Sequence, residues 1–466
     1  MPIGVKNMGF KTDTIAAVST AMTDAGISIV RVSGEDAIAV VDKIYKGKKE
    51  KKISEQKTHT IHYGYIVDGE ETIDEVLVML MRGPHSYTGE DTVEINCHGG
   101  VYVTKRILET VLKYGARPAE PGEFTKRAFL NGKMDLSQAE AVIDVIHSQN
   151  EYALQSSVNQ LRGSVQKVIR EIREKILYHT AFIETALDDP EHISVDGYGD
   201  TLEKVVDELL VQIRRLIDTA DDGRIMREGI NTVIVGKPNA GKSSLLNVLL
   251  GEDKAIVTNI AGTTRDVLEE HIQLRGISIN IMDTAGIRNT EDVVEKIGVD
   301  KARSYAEEAD LIIYVVDASV PLDDNDIEII HMIQNKKAVI LLNKSDLSTV
   351  INKKELKVWI NKPMIEISTK EETGIHELEK TLEHMFYKGE ISFNNEVYIT
   401  NVRHKTALQD AYASLEKVKE SIENQMPEDF FTIDLMDAYE SLGSITGETV
   451  GEDLVNEIFS KFCMGK

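Results

Sequence analysis

Residues 236–243 have the sequence GKPNAGKS, which is the pattern of a phosphate-binding loop. Gly236 and Gly241 enclose four residues, and Lys242 and Ser243 follow. It follows the short apolar run 232–235 and precedes a helix-like run that begins at Ser244. In a strand–loop–helix of this kind, backbone N–H groups and the positive helix end bind a polyphosphate. Lys242 would reach the β- and γ-phosphates, and the Ser243 hydroxyl would bind Mg²⁺. The predicted nucleotide contacts of this loop are Asn239, Ala240, Gly241, Lys242, Ser243 and Ser244.

Two later segments predict that the base is guanine. Asp346 ends the NKSD sequence that follows the apolar run 338–342, and a carboxylate there can accept from the N1–H and N2–H₂ groups of guanine. This sequence resembles the base-reading segment of small GTPases. The segment after run 364–367 resembles their last base-contact loop, with threonine in place of the usual alanine. The predicted base contacts are Asn343, Lys344, Asp346, Ser368, Thr369 and Lys370.

A DTAG sequence after the apolar run 277–282 predicts the γ-phosphate side of the site, with Asp283, Thr284, Ala285 and Gly286 as contacts. Asp283 would hold Mg²⁺ through water. Thr263 and Thr264 lie where a nucleotide-dependent switch segment belongs, and Thr264 is predicted to complete the Mg²⁺ shell. Each motif alone also occurs in ordinary surface turns. All of them in this order, each after a short apolar run, indicate a parallel sheet covered on both faces.

Two catalytic groups of a GTPase are missing from their usual places. Ile287 follows the DTAG glycine, where Ras-like proteins have the glutamine that orients the attacking water. No arginine finger is evident in the sequence, so another positive charge is needed. The side-chain carbonyl of Asn239 is a candidate ligand for a monovalent cation beside the phosphates. A local side-chain-to-backbone hydrogen bond is the alternative for Asn239, and the residue alone leaves both open.

Taken together, the phosphate loop, GTTRD, DTAGIR and the C-terminal CMGK sequence resemble the MnmE (TrmE) family of bacterial tRNA-modification GTPases over essentially the whole chain. The resemblance implies that K⁺ replaces an arginine finger, with Asn239, Thr258, Ile260 and Thr263 as ligands. It also implies that G domains pair across their switch faces. The residues of the switch loop would also contact GTP: Thr258, Asn259, Ile260, Ala261, Gly262, Thr263 and Thr264.

The same resemblance implies that Glu295, within the sequence VVEKIG, orients the attacking water and so replaces the missing glutamine. The residues alone favour the alternative that Glu295 is a solvated acidic side chain stabilised by the dipole at a helix start.

The length of 466 residues predicts several domains, because one core does not grow to this size. Residues 1–130 have mixed α/β character, with strands at 28–32 and 76–81 and a helix at 101–114. Residues 131–223 are helical, with Asp135 and Gln138 as a capping pair and a last helix at 202–220. Residues 224–390 form the GTPase domain, and 391–466 are helical again. The predicted fold class is therefore multidomain α/β plus all-α: an N-terminal α+β domain, a discontinuous helical domain and an inserted Ras-like P-loop GTPase domain.

The N-terminal domain is similar, through the family, to the tetrahydrofolate-binding domain of the glycine cleavage T-protein. The resemblance implies a formyl- or methylene-tetrahydrofolate site with Arg31, Glu94, Lys133 and the terminal Lys466. Glu94 could pair with the donors of the pterin, and cations suit the glutamate carboxylates of folate. The residues alone favour the alternative that Arg31 and Glu94 are ordinary surface or strand-edge charges.

Cys463 lies four residues from the C-terminus and beside lysines that could lower the pKa of its thiol. The family implies that this thiol serves tRNA modification and not GTP hydrolysis. An inert cysteine near a frayed end is the alternative. The only other cysteine, Cys97, lies in a different segment, so the chain has no disulfide framework and suits a reducing cytoplasm. No run approaches the roughly 20 apolar residues of a membrane span, and no export signal is evident.

The net charge of −25 predicts weak binding of tRNA by this chain alone. The family implies a homodimer that works with MnmG, an FAD-dependent partner, and modifies uridine C5 at the wobble position. The carbon would come from the folate, and the nitrogen from ammonium or glycine. Two alternatives remain: a regulatory GTPase without modification chemistry, and a one-carbon transferase acting on a small molecule. The first would leave the tetrahydrofolate site and Cys463 unexplained, and loss of a modified wobble nucleoside on deletion would discriminate against both.

Overall fold

The computed structural model describes residues 13–47, 51–194, 197–251, 270–274, 277–282, 305, 307–351, 353–387 and 397–465. The chain divides into two compact units, which are treated separately. The first holds Met1–Ile146, Ser157–Arg214 and Arg403–Lys466, and the second holds His147–Ser156 and Arg215–Val402. Within the described residues, no helix has the length and apolar character that a membrane crossing needs.

The first unit begins with a mostly antiparallel sheet whose strand order is β3-β4-β5-β6-β2-β1-β7, with β1 and β7 parallel. Its strands are β1 Ile15–Val18, β2 Ala25–Ser33, β3 Tyr45–Gly47, β4 Thr60–Asp68, β5 Glu71–Met81, β6 Thr92–Gly99 and β7 Arg117–Pro118. The helices of this region are α1 Ala37–Ile44, α2 Val101–Lys113 and α3 Glu123–Leu130. The strands predicted at 28–32 and 76–81 and the helix predicted at 101–114 are confirmed.

One face of this sheet carries the core. Val32 of β2 and Ile95 of β6 pack with Val41 of α1 and Ile107 of α2 in a single apolar cluster. Because side chains alternate along a strand, the neighbouring residues point to the other face. That face exposes Ile61, which has 62% of its surface accessible.

Four helices follow in the sequence: α4 Leu136–His147, α5 Glu151–Leu161, α6 Ser164–Asp188 and α7 Tyr198–Glu228. The predicted capping pair starts α4. The Asp135 N–H donates to Gln138 Oε1 at 3.0 Å, and the Gln138 N–H donates to Asp135 Oδ1 at 2.8 Å. The predicted helix 202–220 is part of α7, which is longer than predicted at both ends.

The second unit contains a sheet of order β13-β12-β11-β8-β10-β9, parallel except for the β9–β10 pair. Its strands are β8 Ile230–Val235, β9 Glu270–Leu274, β10 Ile277–Ile281, β11 Leu311–Asp317, β12 Ala338–Asn343 and β13 Met364–Glu366. The described helices around it are α8 Lys242–Leu250, α9 Asp324–Ile333, α10 Lys353–Trp359 and α11 Ile375–Tyr387.

Both faces of this second sheet are covered, which explains why its strands are continuous apolar runs. Ile313 of β11 and Val339 of β12 pack in the apolar cluster on one face. Their neighbours Ile312 and Ile340 pack in the cluster on the opposite face. The carboxyl ends of β8, β11 and β12 therefore meet at one edge, and the loops that follow them lie together there.

The chain ends with α12 Val402–Glu423, α13 Glu428–Thr446 and α14 Glu452–Ser460. In the first unit these helices pack on the earlier ones. The Arg173 guanidinium of α6 lies 4.0 Å from the ring centre of Tyr439 on α13. Lys419 Nζ of α12 donates to Asp207 Oδ1 of α7 at 2.7 Å. Helices from before and after the second sheet thus form one helical body.

A buried ionic cluster strengthens this body where α4 meets α12. Glu140 Oε2 accepts from Arg403 Nη2 at 2.8 Å and lies 2.8 Å from His404 Nε2. Glu140 is 6% exposed, and His404 is fully buried. Burial by itself would raise the pKa of Glu140, but the adjacent His404 and Arg403 more than offset it and lower the pKa to about 2.

Candidate functional site

The loop between β8 and α8 has the backbone of an anion-binding turn. Asn239 has a φ of 60° and Gly241 a φ of 105°, both in the left-handed region. A Cβ on Gly236 would lie 2.3 Å from the Val315 carbonyl oxygen, so only glycine allows the loop to leave the sheet here. The helix begins at Lys242, so the N–H groups of its first turn face the loop.

Lys242 lies within this loop, as predicted. Its Nζ donates to the carbonyl oxygens of Gly236 at 2.7 Å and Lys237 at 2.9 Å. Burial lowers the pKa of Lys242. A partly buried ammonium held by neutral carbonyls can exchange these contacts for the oxygens of a polyphosphate, which are better partners for a cation.

Asn343 joins the phosphate loop to the base-contact loops. This residue is 1% exposed at the end of β12. Its Nδ2 donates to the Ala240 carbonyl oxygen at 2.8 Å, and its Oδ1 accepts from the Thr369 N–H at 3.1 Å. A single buried amide therefore holds together two loops that lie far apart in the sequence. Sequence reasoning placed Asn343 in the site but did not foresee these partners.

The predicted base reader Asp346 lies beside Ser368. The Ser368 hydroxyl donates to Asp346 Oδ1 at 2.7 Å, and this hydrogen bond lowers the pKa of the carboxyl group. Asp346 is therefore ionised at neutral pH and oriented as an acceptor. Lys344, with a φ of 65°, places its Nζ 2.5 Å from Asp317 Oδ2. The side chain of Lys370 is 77% exposed and lies 3.7 Å from Glu371.

The structure thus brings together the described part of the predicted nucleotide site, from Asn239, Ala240, Gly241, Lys242, Ser243 and Ser244 to Asn343, Lys344, Asp346, Ser368 and Thr369. Thirteen other predicted site residues lie outside the described residues: Thr258, Asn259, Ile260, Ala261, Gly262, Thr263, Thr264, Asp283, Thr284, Ala285, Gly286, Glu295 and Lys466.

A second candidate site lies in the first unit, where the C-terminal segment packs on the N-terminal sheet. The Gly465 carbonyl oxygen accepts from Arg31 Nη1 at 3.2 Å and from Ser19 Oγ at 3.1 Å. Gly465 has a φ of 91°, and a Cβ there would lie 2.2 Å from the Val18 carbonyl oxygen. The C-terminal glycine is therefore required by both its backbone conformation and its close approach to β1.

Arg31 is held rigidly beside this segment. Its Nε donates to Glu94 Oε1 at 2.9 Å. Its guanidinium carbon lies 5.2 Å from the ring centre of Tyr87 and 5.6 Å from that of Phe124, within the range of cation–π contacts. The predicted partners Arg31 and Glu94 are thus in direct contact. The two aromatic residues were not predicted, although Tyr87 lies in a polar loop of the type that carries binding residues.

Lys133 borders the loop that carries Tyr87. Its Nζ donates to the Pro84 carbonyl oxygen at 3.0 Å. Nearby, Asn131 Nδ2 donates to the Thr88 carbonyl oxygen at 2.7 Å. Cys463 is exposed, and its carbonyl oxygen accepts from the Gly122 N–H at 3.4 Å. Of the four predicted residues of this candidate site that the structure describes, Arg31 and Glu94 are thus in direct contact, while Lys133 contacts the loop that carries Tyr87 and Cys463 contacts Gly122.

Comparisons with known proteins cover both units. A family profile described as the MnmE helical domain matches residues 136–463, and one described as the GTP-binding protein TrmE N-terminus matches residues 14–133. The tRNA modification GTPase MnmE of Lachnoclostridium phytofermentans is 60% identical over 457 residues, which cover 98% of this chain and 100% of that protein. The chain belongs to the MnmE family. The MnmE of Clostridioides difficile (strain 630) is 50% identical, again over 98% of this chain and 100% of its own.

Membership of the MnmE family confirms the predicted fold class: a TrmE-type N-terminal domain, a helical domain and an inserted P-loop GTPase domain. The second sheet belongs to that G domain, which binds GTP. Among solved structures, Era from Aquifex aeolicus bound to GDP and AlF4⁻ is 29% identical over 40% of this chain and 66% of its own. The TM-score of that match is 0.26.

Proposed function

We propose that this chain is a K⁺-dependent GTPase that acts with an FAD-containing MnmG-type partner to modify C5 of the wobble uridine of certain tRNAs. The product would be an aminomethyl or carboxymethylaminomethyl group whose carbon comes from a tetrahydrofolate. The observation that carries this proposal is the packing of the C-terminal segment against Arg31, in a chain that also builds a guanine-nucleotide pocket. The relatives named above are tRNA modification GTPases, which supports the same substrate.

In the G domain, the described residues suit binding of Mg²⁺ and K⁺. Ser243 follows Lys242 in the first turn of α8, where its hydroxyl is a hard oxygen donor of the kind that Mg²⁺ prefers. Asn239 lies in the left-handed turn of the loop and supplies an amide oxygen for K⁺. Bound there, the two cations would neutralise charge that develops on the transferring phosphoryl group. Thr258, Ile260, Thr263 and Thr264 would complete their shells, and Glu295 would orient the attacking water.

In the first unit, the described residues suit a folate. Glu94 is 8% exposed and offers a carboxylate acceptor for the amino and N–H donors of a pterin. Tyr87, which is partly exposed, provides an aromatic face beside Arg31 for a flat ring, and the fully buried Phe124 supports Arg31 from the core side. Lys133 supplies a cation for the glutamate tail, and Lys466 would add a second. Cys463, exposed beside this region, is the proposed participant in tRNA modification.

We further propose that the chain is a homodimer. The exposed face of the first sheet carries Ile61 and Leu77, which are 62% and 47% accessible, in adjacent strands β4 and β5. Apolar side chains grouped on an exposed sheet face are typical of an interaction surface. The MnmG-type partner would supply FAD and most of the tRNA contacts, because the net charge of −25 opposes direct binding of RNA.

The proposal is tested by deleting the gene from the chromosome and complementing the deletion strain with a gene that encodes the wild-type or a variant protein. Cys463→Ser should keep GTP turnover but abolish the modified wobble nucleoside, which is measured by mass spectrometry of digested tRNA. Met464→Ala, a change of the exposed neighbouring side chain, serves as the matched control and should support modification. A deletion strain that retains the modified nucleoside would favour a regulatory GTPase and contradict the proposal.

A further inference from the structure

The second residue of the phosphate loop, Lys237, contacts the start of α9. Its Nζ lies 2.7 Å from Asp326 Oδ2 and 2.9 Å from Asp323 Oδ2. The Lys237 side chain is 17% exposed and that of Asp326 only 1%. A buried carboxylate with a cationic partner is costly to separate from it, so this contact is a firm anchor for the loop.

The acidic partners of Lys237 are themselves fixed. Asp323 and Asp326 form a capping box at the start of α9, in which each side chain accepts from the backbone N–H of the other. The fully buried Tyr314 of β11 donates its hydroxyl to Asp326 Oδ1 at 2.7 Å. Burial alone would lower the pKa of Lys237, but the hydrogen bonds that its ammonium donates to Asp326 and Asp323 raise it, so the lysine stays charged.

The backbone of Lys237 is part of the phosphate loop itself. Its carbonyl oxygen accepts from Lys242 Nζ at 2.9 Å and from the Ala240 N–H at 3.3 Å. Asn239 follows two residues later in a left-handed conformation, which asparagine adopts more readily than most other non-glycine residues. The anchor and Asn239 therefore share the first half of the loop. The second half is held separately, through Asn343 and Ala240.

We propose that Lys237 is a positioning residue for GTP turnover: its contact with Asp323 and Asp326 fixes the first half of the phosphate loop and so places Asn239. This inference rests on the proposed role of Asn239 in K⁺-dependent hydrolysis. The phosphate loop then has two halves with different tasks. The first places the catalytic cation ligand, and the second, with the N-terminus of α8, holds the phosphates of bound nucleotide.

Lys237→Met should therefore reduce kcat about tenfold to a hundredfold, the scale of a lost charge-assisted hydrogen bond expressed as a rate. The K⁺ concentration for half-activation should rise. Affinity for a fluorescent GDP analogue should change by less than about threefold, because Asn343 still donates to the Ala240 carbonyl oxygen directly before Gly241. A merely structural role would instead lower GDP affinity and turnover together.

Asp326→Asn removes the buried partner of Lys237 and leaves the pair with Asp323, so it should slow turnover less than Lys237→Met, and the double variant should be no slower than Lys237→Met alone. Lys237→Arg keeps the charge and should restore most of kcat. Lys353→Met, which breaks an exposed pair with Glu366 at 3.0 Å in the same unit, is the control and should behave as wild type.

If Lys237→Met does not fold, Tyr314→Phe gives the second measurement. It removes only the hydroxyl that fixes Asp326 and should lower kcat by a smaller factor while GDP affinity is kept. Wild-type kcat in Lys237→Met and Asp326→Asn, or additive losses in the double variant, would overturn the inference. A wild-type protein that ignores K⁺, with kcat still reduced selectively in Lys237→Met, would instead refute the proposed cation and leave the positioning role standing.

Discussion

Replacing Gly241 with alanine tests the geometry of the nucleotide site at its tightest point. An added Cβ would lie 2.0 Å from Asn343 Nδ2, which is far inside van der Waals contact. Gly241 also has a φ of 105°, a conformation that an alanine rarely adopts. The amide of Asn343 cannot move aside freely, because it bonds both Ala240 and Thr369. The added Cβ would therefore displace the Asn343 amide and break the two hydrogen bonds that join the phosphate loop to the base-contact loop.

The cost follows from these contacts. The left-handed backbone costs an alanine about 1–2 kcal/mol. Loss of two buried hydrogen bonds adds about 0.5–1.5 kcal/mol each. The sum is about 2–5 kcal/mol, which at about 1.4 kcal/mol per factor of ten corresponds to a loss of nucleotide affinity of about 30-fold or more.

The assay is equilibrium titration with a fluorescent GDP analogue, with thermal melting recorded alongside. Gly69→Ala is the matched control, because Gly69 has a φ of 62° but open space around an added Cβ. The control should lose some stability and no nucleotide affinity. If the Gly241→Ala variant binds the GDP analogue within about threefold of wild type, the close approach of Gly241 to Asn343 does not organise this site.

Three further predictions concern other parts of the chain. Asp346→Asn should shift preference from GTP toward xanthosine triphosphate in a competition assay, because the amide no longer accepts two N–H groups; unchanged GTP preference would reject the base reader. Gly465→Ala should displace the C-terminal segment and weaken binding of 5-formyltetrahydrofolate in equilibrium dialysis, with GTP turnover intact; full folate binding would contradict the site. Glu140→Gln should destabilise the helical body by about 3–5 kcal/mol in urea unfolding, since it leaves Arg403 and His404 without their carboxylate. In wild type, the lowered pKa of Glu140 contributes stability that is fully present above pH 4.5, the ordinary pKa of a glutamate, and is lost as the pH falls toward about 2. An unfolding free energy that does not change over this pH range would count against the cluster.

The parts of the fold that depend on neighbours in sequence were predictable. The capping pair of Asp135 and Gln138 lies within one helical turn, so its residue types indicate its geometry directly. The apolar runs 232–235 and 338–342 indicated buried parallel strands because both faces of each strand meet a core. Motifs at the ends of such strands lie at one sheet edge, which placed Asn343 near the phosphate loop.

The contacts between distant segments were not predictable from the residues. Arg31 meets Gly465 across 434 positions, and only packing of the C-terminal segment on β1 brings them together. The anchor of Lys237 depends on which residues of β11 and α9 face the loop, and no spacing signals that. The end of α7 was missed for a similar reason. Gly223 does not end the helix but allows the Ile399 carbonyl oxygen to approach it, since a Cβ there would lie 2.3 Å from that oxygen.

A comparison of turnover in K⁺ and Na⁺ buffers at equal ionic strength decides whether a K⁺ site at Asn239 drives GTP hydrolysis. Oligomer size should be followed in the same buffers with GDP and aluminium fluoride. We expect strong activation and G-domain pairing in K⁺ only. Equal turnover and equal oligomer size in both salts would contradict it and leave a GTPase that needs an external activator.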